Sequence, residues 1–285
     1  MDYRRLSNGV KMPILGYGTL HIPSSIAQRC VSDALDVGYR LIDTAAAYFN
    51  EKEVGMAVKA SNLPREELFL TTKVWVQDSG YEKTKKAFMT SLSNLGLEYI
   101  DLYLIHHPFG DYYGSWRAME ELYQEGKIKA IGVCNFSMDR LVDLYMNCTI
   151  KPMVNQIEYH PFFQQKEAFT LLKNYQCQLQ SWGPLNEGQR NIFKNKILHD
   201  IAQKHQKTVA QVILRWHIQK GVIVIPKTKD KERMKENMNL WDFVLDEEDQ
   251  MRITELDVGY SEIIDHRCYR TAKRLNSCKI HEETE

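Results

Sequence analysis

Asp43, Tyr48, Lys73 and His106 are four side chains whose types, taken together, suit proton delivery to a carbonyl oxygen. Adding hydride to a carbonyl carbon leaves charge on the oxygen, and that oxygen needs a proton. A phenol can give one, although its ordinary pKa is about 10. A cation beside it stabilises the phenolate and eases donation. Lys73 can be that cation, and a lysine withdrawn from water needs an anionic partner, which Asp43 can be. His106 can hydrogen-bond the carbonyl oxygen and aim it. Each residue alone has a plainer reading. An Asp-Thr pair after a strand starts a turn, a lysine after a strand is solvated, and Tyr48 is one of 15 tyrosines. His106 beside His107 suggests a metal pair, but strand neighbours face opposite sides, so no metal is expected. The chemistry depends on the four side chains meeting.

The pattern of elements says how they meet. An Asn8-Gly9 turn between Tyr3–Leu6 and Lys11–Ile14 signals a hairpin. Short β-branched runs then alternate with stretches of helical period. The predicted strands are Leu15–Tyr17, Tyr39–Ile42, Leu68–Thr72, Ile100–Ile105, Ala130–Val133, Met153–Ile157, Gln178–Ser181 and Val222–Ile225. The predicted helices are Ile26–Val37, Glu51–Ala60, Tyr81–Asn94, Trp116–Gln124, Met138–Met146, Lys166–Asn174, Val209–Gln219, Lys231–Leu240 and Glu247–Leu256. Eight strands, each followed by helix, predict an α/β fold of the (β/α)8 TIM-barrel kind in one domain over residues 1–285. A doubly wound open sheet is the alternative. The polar tail from about residue 276 is expected to be mobile. Barrels build their sites where strands end, at the C-terminal face. The polar strand-end residues are Asp43, Lys73, His106, Asn135, Gln156, Trp182 and Lys227, with Tyr48 in the loop after the second strand. A barrel gathers these on one rim, whereas an open sheet strings them along a line.

Composition narrows the class. Basic and acidic residues balance at 37 each, and no dense cationic run suggests a nucleic-acid partner. Met-Asp-Tyr-Arg-Arg-Leu lacks the apolar core of a secretory signal, and no apolar run is long enough for a membrane span. Cys30, Cys134, Cys148, Cys177, Cys268 and Cys278 form no C-x-x-C pair, so reduced thiols and a cytoplasmic location are expected.

Six blocks then acquire a shared meaning: Leu41-Ile42-Asp43-Thr44-Ala45-Ala46-Ala47-Tyr48, Thr72-Lys73-Val74-Trp75, Leu104-Ile105-His106-His107-Pro108, Gly132-Val133-Cys134-Asn135-Phe136, Val154-Asn155-Gln156-Ile157-Glu158 and Ile225-Pro226-Lys227-Thr228. In type and order they resemble the aldo-keto reductase family, most closely its microbial members that reduce diketo-sugar acids and methylglyoxal. The resemblance implies a barrel closed at its base by the N-terminal hairpin. It implies Tyr48 as general acid, Lys73 and Asp43 as its tuners and His106 as the residue that positions substrate. It also implies a small-molecule carbonyl substrate, a monomer or homodimer, and an extended NAD(P)H lying across the rim.

No Rossmann fingerprint is present, since Gly16-Tyr17-Gly18 continues as Thr19-Leu20-His21. By resemblance, Asn135 and Gln156 hold the nicotinamide carboxamide and Trp182 stacks on its ring. Gly18, Thr19, Asp43, Gly183 and Leu185 line its path. Lys227, Thr228, Arg233, Glu236 and Asn237 grip the adenosine end. Arginine's planar fork suits a 2′-phosphate, so NADPH is expected in preference to NADH. Trp75, His106, His107 and Phe109, together with Trp116, are the expected substrate walls. The chain also departs from the family. Cys134 stands where serine is common, His107 where tryptophan or glutamine is usual, and Leu20 where many mammalian members have an aromatic. The loop from Pro108 to Trp116 is short, which implies an open pocket. Fold alone does not fix function. A cofactor-binding regulatory or structural protein without turnover is therefore the rival reading, against which the complete set of four residues argues.

Overall fold

In a computed structural model of the chain, residues 2–282 are described. The chain starts with a hairpin of β1 (Tyr3–Arg5) and β2 (Lys11–Pro13), which pairs Tyr3 with Pro13 and Arg5 with Lys11. The Gly9 N–H donates to the Leu6 carbonyl, and Gly9 takes φ +91°, which a side chain would strain. The Asn8 amide donates to the Lys129 carbonyl at 2.9 Å. Lys129 lies near the start of a barrel strand, so the hairpin sits at the base.

Eight parallel strands follow: β3 (Gly16–Gly18), β4 (Leu41–Asp43), β5 (Phe69–Val74), β6 (Ile100–Ile105), β7 (Ile128–Cys134), β8 (Val154–Glu158), β9 (Gln178–Trp182) and β10 (Ile223–Val224). They pair in chain order. The ring closes where Leu15 bridges Val224 and the Val224 N–H donates to the Ile14 carbonyl. Every residue of β5 and β6 is buried, as expected of parallel strands covered on both faces. The fold is a (β/α)8 barrel.

The covering helices are α1 (Ser24–Val37), α2 (Glu51–Ala60), α3 (Tyr81–Leu95), α4 (Tyr112–Gln124), α5 (Met138–Asn147), α6 (Lys166–Asn174), α7 (Lys196–Lys204), α8 (Val209–Gln219), α9 (Lys231–Met238), α10 (Glu247–Thr254) and α11 (Tyr269–Ser277). α1 buries Ala27, Cys30, Val31, Ala34 and Leu35 on one face and ends at Gly38, whose N–H returns to the Ala34 and Leu35 carbonyls. α8 starts with a reciprocal Thr208–Gln211 cap.

Three features differ from the sequence reading. α4 begins at Tyr112, capped by Asp111, and not at Trp116. α7 and α11 are additional helices. Ile197, Leu198, Ile201 and Ala202 of α7 do have helical spacing. The tail expected to be mobile is hydrogen-bonded to the loop after β5 as far as His281, while residues 283–285 lie outside the described residues.

Gly55 shows how closely the helical layer packs. A Cβ there would lie 2.3 Å from the Leu95 carbonyl oxygen, where α2 crosses the end of α3. Alanine favours helix over glycine by about 1 kcal/mol. Here the clash with backbone outweighs that gain. We expect Gly55→Ala to lower unfolding free energy by about 1–3 kcal/mol, measured by urea denaturation. An unchanged or raised midpoint contradicts the close approach.

Candidate active site

β4 and β5 run side by side with Asp43 level with Thr71. Residues two apart on a strand share a face, so Lys73 stands one layer above Asp43 on the inward side. Lys73 Nζ reaches Asp43 Oδ1 at 2.5 Å, the Thr44 carbonyl at 2.9 Å and the Tyr48 hydroxyl oxygen at 3.5 Å. These contacts use all three ammonium hydrogens. The second Asp43 oxygen accepts from Gln156 Nε2 at 2.7 Å. Tyr48 lies in a 3-10 turn over Ala46–Tyr48. Its ring packs edge-on to His106, with centroids 5.6 Å apart. The four residues named from sequence therefore meet at the C-terminal rim.

Burial dominates the charges here. It would discharge Lys73, but Asp43 holds the ammonium above its ordinary range. Burial lifts the Asp43 carboxyl as well, with Lys73 and Gln156 pulling it back. Tyr48 is half-buried as a whole, yet its hydroxyl sits deep beside Lys73. Burial pushes its pKa up to about 12 against the pull of Lys73, and Asp43 adds to the rise. The lysine therefore does not bring the phenol below its usual value. His106 and His107 are held well below the ordinary histidine value, first by burial and then by neighbouring charge, so both are neutral.

The two imidazoles do not face opposite sides. β6 ends at Ile105, and beyond it alternation no longer applies. His106 and His107 stack with centroids 4.7 Å apart and planes within 4°. Trp75 meets both edge-on at 5.2 Å, and Phe109 stacks on His107 at 6.3 Å. Among the described residues no group of His, Cys, Asp or Glu is arranged to hold a metal. Trp116 is not at the rim. It lies on the buried face of α4, with Nε1 donating to the Ile150 carbonyl at 3.0 Å.

The residues assigned to a dinucleotide suit one in chemistry, although some are already engaged. Asn135 Nδ2 donates to the His106 carbonyl at 3.0 Å, and Trp182 Nε1 donates to Asn135 Oδ1 at 2.8 Å. Gln156 Oε1 receives only the long Cys134 Sγ contact at 3.7 Å, which leaves acceptor capacity for an amide N–H. The Cys134 thiol is buried between the two amides. Thr19 is committed to the Asp43 carbonyl through both N–H and hydroxyl. A Cβ on Gly18 would lie 2.9 Å from the Ile225 carbonyl oxygen, and Gly183 takes φ +59° beside half-buried Leu185. Asp230 caps α9 and places Arg233 in its first turn. Lys231 pairs with Asp33 and Asp36, and Lys235 pairs with Glu232. Lys227 and Arg233 are exposed, and no ion pair is found for either among the described residues. The Thr228 carbonyl accepts from the Tyr17 hydroxyl, the Glu236 carboxylate accepts from Thr208, and Asn237 is buried.

Residues 14–258 match the Aldo/keto reductase family. The chain belongs to the aldo/keto reductase family. As a member it is an oxidoreductase of carbonyl-reducing type. It is 49% identical over 258 residues to a glyoxal reductase of Bacillus subtilis, covering 90% of this chain and 93% of that protein. It is 48% identical over 255 residues to the 9,11-endoperoxide prostaglandin H2 reductase of Trypanosoma cruzi, covering 88% and 90%. Among solved structures, a variant of Gox0644 in complex with NADPH superposes with a TM-score of 0.88 at 35% identity, covering 97% and 98%. No described helix of this aldo/keto reductase is long and apolar enough to cross a membrane.

Three residues at the site escape the sequence reading. Asn50 looks like a helix cap but instead accepts from Thr44 Oγ1 and donates to the Thr19 and Ile22 carbonyls, fixing the loop that carries Tyr48. Gln180 accepts from Gln156 inside the barrel. His266 stacks on His107 from the C-terminal segment. Only Asn50 carries a local signal, because it follows Tyr48 closely and precedes a helix.

The Lys73–Asp43 pair has almost no exposure, 0% and 2% for the two side chains. Removing one partner strands the other charge in the interior. We expect Lys73→Met and Asp43→Asn each to lower unfolding free energy by about 3–5 kcal/mol. The double variant should lose at least about 1 kcal/mol less than the sum. Strictly additive urea-denaturation values would show that the pair is not coupled.

Proposed function

We propose that the protein reduces aldehydes and ketones to alcohols with NADPH, and that Tyr48 gives the proton to the carbonyl oxygen. The observation that carries this reading is the Tyr48 hydroxyl 3.5 Å from an ammonium locked by Asp43, with His106 against the same ring. Lys73 donates to the phenol oxygen, so the phenol O–H remains for a substrate acceptor. Lys73 then stabilises the phenolate left after transfer. His106, held neutral, offers a hydrogen bond that fixes the carbonyl oxygen. When bound, NADPH supplies the hydride for the carbonyl carbon. Asn135, Gln156 and Trp182 would hold its nicotinamide end. Lys227 and Arg233 would take the 2′-phosphate, since both are exposed and neither is ion-paired among the described residues. The NADPH complex of Gox0644 supports the cofactor, and the glyoxal reductase relative supports small α-dicarbonyls as substrates. Keto-sugar acids and aromatic aldehydes are the further classes proposed. A cytoplasmic monomer or homodimer acting on small molecules is part of the same proposal, and the balance of charge supports the lack of a nucleic-acid partner.

Tyr48→Phe should lower kcat for methylglyoxal by about 10²–10⁴-fold while NADPH binding, followed by fluorescence, persists. Cofactor binding without turnover by the unaltered protein across a broad carbonyl panel favours the regulatory rival. Arg233→Met should raise KM for NADPH by about tenfold or more and leave KM for NADH nearly unchanged. An equal effect on both cofactors removes the phosphate role.

The pH profile tests the donor. A proton donor works below its pKa and fails above it. With Tyr48 raised to about 12 and His106 neutral, kcat/KM for reduction should stay flat between about pH 6 and about pH 9. A fall through the ordinary histidine range would mean that a charged imidazole, and not Tyr48, donates.

A further inference from the structure

From Gly259 onward the chain lies beyond the residues that match the family, yet it is fastened to the rim at both ends. At one end Ser261 Oγ donates to Glu158 Oε2 at 2.6 Å, and Glu262 pairs with Arg190. At the other, Trp75 Nε1 donates to the Cys278 carbonyl at 2.9 Å and the Ile280 N–H donates to Gln77 Oε1 at 2.8 Å. Glu158 ends β8 and Trp75 follows β5, so the segment crosses the barrel mouth.

Between these anchors His266 stacks on His107, with centroids 5.2 Å apart and planes at 27°, and meets Trp182 edge-on at 6.5 Å. Its Nε2 is buried and has no hydrogen-bond partner among the described residues. A phenyl ring would stack as well, and a desolvated nitrogen is unfavourable unless some group completes it. The polar groups of the two rings it meets are already engaged: Asn135 Nδ2 lies 3.3 Å from His107 Nδ1, and Trp182 Nε1 is bonded to Asn135. Burial, with Arg274 adding and Asp265 opposing, pushes the His266 pKa down to about 4. The ring is thus neutral and holds one donor and one acceptor. Arg274, exposed on α11, is near enough for its charge to act on both His107 and His266.

We propose that His266 is a specificity-determining residue that hydrogen-bonds the far, anionic end of a carbonyl substrate, with Arg274 supplying the countercharge. The proposal rests on the reading that Tyr48 and His106 hold the reacting carbonyl. The stack advances 4.7 Å from His106 to His107 and a further 5.2 Å to His266. A three-carbon dicarbonyl held at His106 does not span that distance. A carboxylate several bonds from an aldehyde does. The favoured class is therefore the ω-oxo acid or any aldehyde with a distant carboxylate.

Hexanal and 6-oxohexanoate form a matched pair for the test, with kcat and KM measured for each. The unaltered enzyme should prefer the acid by about tenfold in kcat/KM, the difference lying in KM. His266→Phe keeps the stack and should bring the preference to within about twofold. His266→Gln should retain part of it. Arg274→Gln should reduce it, along with its sensitivity to salt. Should the phenylalanine variant not fold, the other two decide the matter. Absence of a preference in the unaltered enzyme overturns the proposal, as does equal loss on both aldehydes in the Phe and Gln variants, which would indicate packing alone. If the unaltered enzyme reduces neither aldehyde, the carbonyl-reductase reading falls too. Hexanal turnover without a preference sinks only the role of His266.

Discussion

The buried ion pair between Lys73 and Asp43 is the constraint on which the rest of the site depends. Each charge taken from water costs several kcal/mol, and only close pairing with every remaining hydrogen-bonding position filled offsets that cost. The molecule fills them with the Thr44 carbonyl, the Tyr48 hydroxyl and the Gln156 amide. These come from β4 and the loop after it, and from β8, so the pair is satisfied only when those strands stand in one register around the barrel. The register of β4, β5 and β8 and the satisfaction of the pair are therefore linked. Asn50 extends the same logic outward. Its bonds to Thr44, Thr19 and Ile22 hold the loop that brings Tyr48 within reach of the ammonium.

That arrangement changes what it means for a lysine to tune a tyrosine. Proximity suggests a phenol made more acidic than usual. Burial outweighs the cation, and the phenol is held less acidic than in water. On the proposed reading Tyr48 is fully protonated through the neutral range, as an ordinary phenol is, and the raised pKa makes it the weaker acid; the ammonium offsets this by stabilising the negative charge that develops on the phenol oxygen. Electrostatic groups fixed in advance and aimed at developing charge need no reorganisation during the step.

What the sequence makes legible follows from the barrel itself. Once eight strands are recognised, each strand end is a rim position, and Asp43, Lys73, His106, Asn135, Gln156 and Trp182 fall on one circle by topology alone. The contacts that stay hidden are made between segments far apart in the chain. Trp116 reads as the first residue of its helix and as a pocket wall until Asp111 is seen to cap α4 earlier and turn that face inward. His107 reads as the outward neighbour of His106 until the strand is seen to end at Ile105. The tail reads as mobile because its partners are the Trp75 indole and the Gln77 carboxamide, some 200 positions away, which no local composition reveals. Glu236 shows the same effect at a site residue, since its carboxylate is already held by Thr208 on a neighbouring helix.

The division between what matches the family and what does not falls along a physical boundary. Residues up to 258 build the barrel and hold the reacting groups from beneath, through strand register and the buried pair. The segment beyond crosses the mouth from above and meets Glu158, His107, Trp182, Trp75 and Gln77 at the rim, with Arg190 and Asp78 beside it. Among the described residues none of its hydrogen bonds reaches Asp43, Lys73 or Tyr48, whose partners lie in the strands and in the loop that follows β4. A segment placed this way can change without disturbing the register that charges the site. The His106–His107–His266 stack is where the two parts meet. It runs from a ring against Tyr48 to a ring that no residue of the barrel holds by a hydrogen bond. On the proposed reading, proton delivery is fixed by the closed barrel, while the strap laid across the mouth sets the reach of the pocket.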